Sequence, residues 1–210
     1  MEKPKMQDTS TSELFSWAET LFPMHRSLTG EGNRETLRFL QRKFPLFKVQ
    51  EVRSGTVVED WRVPQEWEVS EAFIEDSEGN VLVDYKQNNL HLVAYSTPVE
   101  GWFTWEELRP HLHTHPDPES IPYVTSYYKA DWGFCARKKD VDRWPPGPFR
   151  VKIASRLFEG SMSFADALIP GESSSEVLLS SYICHPSLAN NEVSGPVVLT
   201  ALARWIESLP

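Results

Sequence analysis

The chain contains 210 residues, of which 40% are hydrophobic and 24% are charged, a composition typical of a globular protein. Its formal net charge of -9 and its lack of a long basic run argue against nucleic-acid binding. Its apolar stretches are shorter than the roughly 18–20 residues of a membrane helix, and its N-terminus lacks an apolar signal core. We therefore expect no membrane partner and a cytoplasmic location.

The first predicted elements are two amphipathic helices followed by a strand. Ser10 and Glu13 form a capping-box pattern at the start of the first helix, which ends before Pro23. The second helix stops at Pro45, and residues 47–52 alternate between apolar and polar side chains as a half-buried strand does. These elements predict the first part of an α/β domain.

From Gly55 onward the sequence changes character. Helical periodicity disappears, tryptophans cluster, and short strand-like runs appear, including a predicted β-hairpin over residues 72–85. A proline-rich segment, residues 144–148, ends this part of the chain. We therefore predict a β-rich domain over residues 56–146, inserted into the α/β domain.

The predicted β-rich domain contains the sequence HLHTH, in which His111, His113 and His115 would share one face of a strand. Histidines on one face are a candidate zinc site, but no cysteine or acidic residue nearby completes a set of zinc ligands. The alternative, which the sequence favours, is a surface loop that follows a short helix beginning at Trp105.

After the prolines, residues 149–153 alternate as a strand, and a turn near Gly160 predicts a hairpin that continues the α/β domain. Residues 177–183 form a short apolar run, which predicts a strand buried on both faces in a parallel sheet. A polar turn follows, and the last helix begins at Pro196. Because open α/β sheets bind ligands at the carboxyl ends of their strands, this turn is the candidate site.

His185 lies directly after the predicted strand, and Asn190, Asn191 and Glu192 follow in the same turn. Imidazole and carboxylate groups are common zinc ligands, so this single loop would supply part of a metal site. The alternative is a structural histidine that is hydrogen-bonded at the end of a strand.

The chain contains two cysteines, Cys135 and Cys184. Two cysteines in a chain without a signal core predict free thiols in a reducing compartment rather than a disulfide framework. Cys184 is adjacent to His185, but neighbours on a strand point to opposite faces, which disfavours a catalytic pair.

The segment CHPSLANNEVSG, residues 184–195, resembles the first metal-binding loop of the zinc aminopeptidases that have two co-catalytic zinc ions. More narrowly, it is similar to a bacterial group of aminopeptidase-like proteins with a small β-rich domain inserted near the N-terminus. The segments RSLTGEGNRETL (residues 26–37) and DWRVP (residues 60–64) also resemble that group. The resemblance implies an α/β fold with a partial zinc-aminopeptidase-like mixed sheet and flanking helices. Residues 10–54 and 149–210 would form its N-terminal half.

The resemblance implies zinc as the cofactor and His185 as its first ligand. It places Asn191 where the group has an aspartate that bridges two metal ions. An amide offers one neutral oxygen, so a two-metal site would lose an anionic bridge. A degenerate or mononuclear site and a turn-forming asparagine are the two interpretations. Glu192 would replace the aspartate only if the loop rotates, and no catalytic residue is assigned.

The predicted function is the N-terminal part of a zinc-dependent aminopeptidase-like hydrolase that acts on a peptide or a small amide. One histidine and one asparagine are too few zinc ligands. The 210 residues alone are therefore expected to be inactive and to bind zinc no tighter than a surface histidine does. The alternative is a non-catalytic binding or scaffolding module derived from the same fold. Self-association, or a C-terminal half that completes the sheet, is the expected protein partner.

Overall fold

The computed structural model describes residues 10–209. Its α-helices in this range are α1 (Thr11–Leu21), α2 (Glu31–Lys43), α3 (Trp105–Leu108), α4 (Lys138–Val141) and α5 (Ser194–Glu207). Its strands are β1 (Lys48–Arg53), β2 (Val57–Val58), β3 (Trp61–Arg62), β4 (Glu66–Glu75), β5 (Val81–Asp84), β6 (Val99–Phe103), β7 (Leu112–His113), β8 (Phe134–Cys135), β9 (Phe149–Phe158) and β10 (Ser161–Asp166). Among residues 10–209, no helix is both long enough and apolar enough to span a membrane.

The chain divides into two compact units with different architectures. The first unit contains the chain up to Val63 and from Ser161 onward, with α1, α2, α5, β1–β3 and β10. The second unit is the continuous segment Pro64–Gly160, which holds the other strands and the short helices. The sequence predicted a middle segment over residues 56–146, so the observed segment begins and ends later along the chain.

Helix α1 begins where the sequence predicted. The hydroxyl of Ser10 accepts a hydrogen bond from the backbone N–H of Glu13 at 3.2 Å, which satisfies one free donor of the first turn. The apolar face of α1 buries Trp17. Lys43 Nζ of α2 and Arg204 Cζ of α5 lie 5.2 Å and 5.6 Å from the centroid of that ring. Cation–π contacts therefore connect α1 to both other helices of the first unit.

The core of the first unit is one apolar cluster to which all three long helices contribute. Its buried members are Trp17, Leu21, Phe39, Leu40, Phe44, Phe47, Val193, Val197 and Ala203. Burying a large apolar side chain stabilises the fold by about 1.5–3 kcal/mol. Because Val193 and Val197 belong to this cluster, the core also fixes the turn that leads into α5.

In the described residues of the first unit the strands form two small antiparallel sheets rather than the mixed sheet that the sequence predicted. Strand β1 pairs with β10 in the register Lys48↔Asp166 to Arg53↔Ser161, and β2 pairs with β3. The α/β class is nevertheless correct, since helices and sheets are both present.

The second unit is built on a four-stranded antiparallel sheet with the order β5-β4-β9-β6. The predicted hairpin of β4 and β5 is confirmed, and Asp76 forms its turn. Its Oδ1 accepts hydrogen bonds from the backbone N–H groups of Glu78 and Asn80, both at 2.9 Å. A second, parallel pair is formed by β7 and β8.

The assignment of residues 149–158 to the α/β domain was wrong. Strand β9 pairs with β4 and β6 of the second unit and buries Phe149, Val151 and Ile153. It forms no hairpin with β10, which lies in the other sheet beside β1. The apolar alternation predicted a strand correctly, but alternation does not determine which strand will be its partner.

The prediction of a buried strand over residues 177–183 was also wrong. This segment has no regular secondary structure, and Val177 and Leu178 are each 88% exposed. A strand needs a neighbouring strand to satisfy its backbone groups. Among residues 10–209, no strand pairs with this segment.

Two strand-like runs of the second unit, residues 90–95 and 122–128, form no regular strand and are joined by an isolated bridge between Ala94 and Thr125. The short helix predicted to begin at Trp105 is present as α3. It starts with a capping box, in which the side chains of Thr104 and Glu107 each accept a hydrogen bond from the backbone N–H of the other residue. A 3-10 turn follows from Arg109.

Candidate metal site

A π-helical turn, Ala189–Val193, positions the polar residues of the candidate site directly before α5. The backbone N–H of Ser194 donates to the carbonyl of Ala189, which is the i→i+5 bond of a π-turn. Successive side chains of a helix point about 100° apart, so the extra residue of a π-turn changes the direction in which the following side chains point. In this turn Glu192 faces the interior, whereas Asn190 and Asn191 are exposed.

Within the described part of the chain, Cys184, His185 and Glu192 form the one group of three side chains that could hold a metal ion. Nδ1 of His185 contacts Oε1 of Glu192 directly. The thiol of Cys184 lies 3.3 Å from His185 Nδ1 and donates to Glu192 Oε1 at 3.8 Å. An imidazole, a carboxylate and a thiol therefore converge at the start of α5.

The carboxylate of Glu192 is the most constrained group of the site. Its side chain is fully buried, and Oε2 has no hydrogen-bond partner among the described residues. A polar atom buried without a partner costs about 1–3 kcal/mol, and more if the group is charged. A carboxylate in this state, beside an imidazole nitrogen, has the donor chemistry that zinc requires. The residues present thus fit part of a metal site.

Arg26 provides a buried positive charge close to this group. Burial lowers its pKa from 12.5 to about 10, against the opposing effect of the charges of Glu192 and Cys184. The guanidinium therefore remains protonated at neutral pH and partly offsets the charge of Glu192.

The thiol of Cys184 is the third member of this group. Burial, followed by the nearby charge of Glu192, raises its pKa from 9.0 to about 11. The thiolate is the form that attacks carbonyls, so the protonated thiol of the metal-free protein is poorly suited to act as a nucleophile. Cys184 and the buried Cys135 are both free thiols, as the sequence predicted.

The two residues predicted as metal ligands have different environments. His185 belongs to the group described above, whereas Asn191 is exposed and its Oδ1 accepts a hydrogen bond from the hydroxyl of Tyr182 at 2.7 Å. A ligand role for Asn191 stays a prediction. The structure places Glu192, the neighbouring residue, against the imidazole instead.

The histidines of the HLHTH sequence make local contacts in the second unit. His111 stacks on Trp132 with ring centroids 3.8 Å apart, and its Nδ1 lies 2.9 Å from the carbonyl oxygen of Trp132. Nδ1 of His115 accepts from the backbone N–H of Asp117 at 3.1 Å. None of these histidines belongs to a group of metal-binding side chains in residues 10–209.

Sequence reasoning assigned no role to Arg26 and only a conditional role to Glu192. The signal for Glu192 was present, because it is the one carboxylate in the loop after His185. The signal for Arg26 was its place in the segment RSLTGEGNRETL, which resembled a family signature. Its contact with a loop more than 150 residues away is not encoded in local pattern.

Comparisons with known proteins agree with an aminopeptidase-like class. The chain belongs to the DUF4910 family, a domain of unknown function whose model matches residues 15–210.

A protein of Clostridium acetobutylicum, named as a candidate polysaccharide-biosynthesis protein with an aminopeptidase-like domain, is 41% identical over 198 residues. The match covers 94% of this chain and 45% of that protein. The crystal structure of a candidate peptidase from the same organism matches with a TM-score of 0.91 and 41% identity, over 94% of this chain and 47% of the other. The chain thus spans about half the length of these relatives.

Proposed function

We propose that this chain carries the first metal-binding loop of a metal-dependent hydrolase that cleaves peptide or amide bonds. The observation that carries the proposal is the buried pair of His185 and Glu192, with its carboxylate oxygen unpartnered among the described residues. The aminopeptidase-like name of the Clostridium relative supports the reaction class. Zinc is the proposed metal because the donors are an imidazole nitrogen and a carboxylate oxygen.

His185 and Glu192 would hold the ion through a ring nitrogen and a carboxylate oxygen. A bound divalent metal polarises a carbonyl oxygen and lowers the pKa of a water molecule. Burial of Glu192 keeps solvent away from its oxygens, and Arg26 limits the net negative charge. Catalytic zinc sites use about three protein ligands. The proposal therefore assigns the remaining ligands and the general base to the part of the relatives that this chain does not span.

Calorimetric titration of Zn²⁺ into the protein tests the metal site. Two well-placed ligands should give weak binding at one site, more than the surface-histidine level that the sequence alone predicted. His185→Ala and Glu192→Gln should each abolish it, whereas His115→Ala, at an exposed histidine of the second unit, should not. Equal binding by wild type and His185→Ala would contradict the site.

A chimera tests the reaction. Residues 1–210 would replace the matching segment of the Clostridium acetobutylicum relative, and hydrolysis of aminoacyl-anilides would be measured with zinc present. We expect the chimera to be active, and His185→Ala and Glu192→Gln to remove the activity. If neither the relative nor the chimera hydrolyses the substrates, the hydrolase proposal fails. The alternative is then a non-catalytic binding module, which the exposed, tyrosine-bonded Asn191 favours.

A further inference from the structure

Two buried side chains hold the backbone of the metal-binding loop: Arg26 from the segment between α1 and α2, and Asn33 from the first turn of α2. Arg26 and Asn33 are 1% and 2% exposed. One donates to the carbonyl of His185 and the other to the carbonyl of Ile183, so their bonds lie on either side of Cys184. We call Arg26 and Asn33 the bracket.

The Arg26 guanidinium connects two elements of the first unit. Its Nε donates to the carbonyl oxygen of His185 at 3.2 Å, and its Nη1 donates to the carbonyl oxygen of Leu21 at the end of α1. The planar guanidinium has a fixed arrangement of donors, so these two bonds together fix the distance and orientation of the loop relative to α1.

The Asn33 amide is itself held in one orientation. Its Oδ1 accepts from the backbone N–H of Ser27 at 3.0 Å, and its Nδ2 donates to the Ser27 carbonyl at 2.7 Å. The same Nδ2 donates to the carbonyl of Ile183 at 3.4 Å. Three bonds on one buried amide leave it no freedom to turn.

We propose that Arg26 and Asn33 are positioning residues that orient the imidazole of His185 toward Glu192 by fixing the backbone on both sides of Cys184. The metal-binding part of this inference rests on the proposed function. The reason is geometric: residues 177–183 have no strand partner in the described range, so no sheet ladder sets the direction of the chain at His185. The hydrogen bonds from Arg26 and Asn33 to the carbonyls of His185 and Ile183 set this direction instead. Groups outside the first coordination shell orient metal ligands in the same way.

The test uses two variants. Arg26→Lys keeps the positive charge but cannot donate to the carbonyls of His185 and Leu21 with the fixed geometry of a guanidinium. Asn33→Asp keeps an oxygen that accepts from the N–H of Ser27 but removes the Nδ2 donor to the carbonyl of Ile183. The matched control is Thr36→Val. Thr36 is equally buried in α2, but its hydroxyl donates to the carbonyl of Gly32 and to the sulfur of Met24, not to the loop.

The first measurement is the NMR spectrum of the imidazole nitrogens of His185 in the metal-free protein, together with urea unfolding. Both bracket variants should shift the His185 signals, and Thr36→Val should leave them unchanged even where it lowers stability. The second measurement is the dissociation constant for Zn²⁺, which the bracket variants should raise about tenfold to hundredfold. Unchanged His185 signals in both bracket variants would overturn the proposal.

The metal-free spectra separate this inference from the proposed function. If the wild-type protein binds no Zn²⁺ but the bracket variants still shift the His185 signals, the metal proposal fails and the positioning role stands. If the variants do not fold, hydrogen exchange in the wild-type protein tests the positioning role instead. The Arg26 Nε–H should then exchange slowly with solvent, as a buried donor does, and exchange as fast as that of an exposed arginine would overturn the bracket.

Discussion

Burial lowers the pKa of both His25 and Arg26, which are adjacent in sequence, but the two residues differ in charge at pH 7. Burial, with a smaller effect of the neighbouring Arg26 charge, lowers the pKa of His25 from 6.5 to about 4, so its ring is neutral at pH 7. Arg26 loses part of its basicity but remains charged, since its intrinsic pKa is so much higher. Of these two residues, Arg26 alone is therefore charged at neutral pH.

The lowered pKa of His25 predicts a pH dependence of stability. Between about pH 4 and 6.5 the unfolded chain binds more protons than the folded one, so the stability that neutral His25 contributes is lost as the pH falls. The free energy of unfolding should decrease by about 2 kcal/mol between pH 7 and pH 5 on account of this residue. Urea unfolding across this range measures it.

His25→Gln, which does not titrate, should remove most of this pH dependence. A smaller slope should remain, because burial also lowers the pKa values of His91 and His113. His115→Gln, at an exposed site, is the control and should change nothing. A His25→Gln protein with the full wild-type pH dependence would show that His25 titrates normally.

At the scale of elements, the loop between α1 and α2 packs closely against the first turn of α2. A Cβ on Gly32 would lie 1.9 Å from the carbonyl oxygen of His25, so only glycine fits there. Gly30, two residues earlier, has a φ of 106°, which suits glycine at the N-cap of α2. Gly30 and Gly32 thus serve the turn into α2 and the close packing of the chain around it.

Gly32→Ala should therefore destabilise the protein by about 1–3 kcal/mol or more, as overpacking of a buried site does. Gly171→Ala is the matched control, because a Cβ there would have no neighbour within 4 Å. Urea unfolding of the two variants compares them directly. If Gly32→Ala and Gly171→Ala have the same free energy of unfolding, the loop near Gly32 can move to accept a methyl group. The hydrogen bonds of Asn33 would then be less rigid than proposed.

At the scale of the whole molecule, the first unit has an apolar surface that its own described residues do not cover. Val177 and Leu178 are almost fully exposed. Leu178 and Leu179 line a groove of about 600 Å³ together with Val198, Leu199 and Leu202 of α5. An exposed patch of this kind favours association with another apolar surface or aggregation.

Leu178→Lys should reduce self-association and dye binding without lowering the free energy of unfolding, since the side chain is exposed in the folded protein. Sedimentation velocity and fluorescence of a hydrophobic dye measure the two effects. Gln87→Lys makes the same change of charge at an exposed position of the second unit and should have neither effect. If the Leu178→Lys variant self-associates as strongly as the wild type, the apolar surface at Leu178 is not the interface.

The sequence by itself determined the elements whose signals are local. The Ser10 capping pattern and amphipathic spacing identified α1 and α2, a short helix was predicted to begin at Trp105, where α3 lies, and turn chemistry identified the β4–β5 hairpin. It also identified His185 and the loop after it as the candidate site. These features depend on neighbours within a few residues, which a sequence pattern records directly.

Only the tertiary structure decided which elements pair and which side chains meet. Strand β9 joined β4 and β6, and residues 177–183 stayed without regular structure, because strand formation depends on a partner that the pattern does not name. Glu192 rather than Asn191 faced His185 because a π-turn rotated the loop, and Arg26 reached that loop across the fold. Such contacts arise from packing between distant segments, and local propensity carries no information about them.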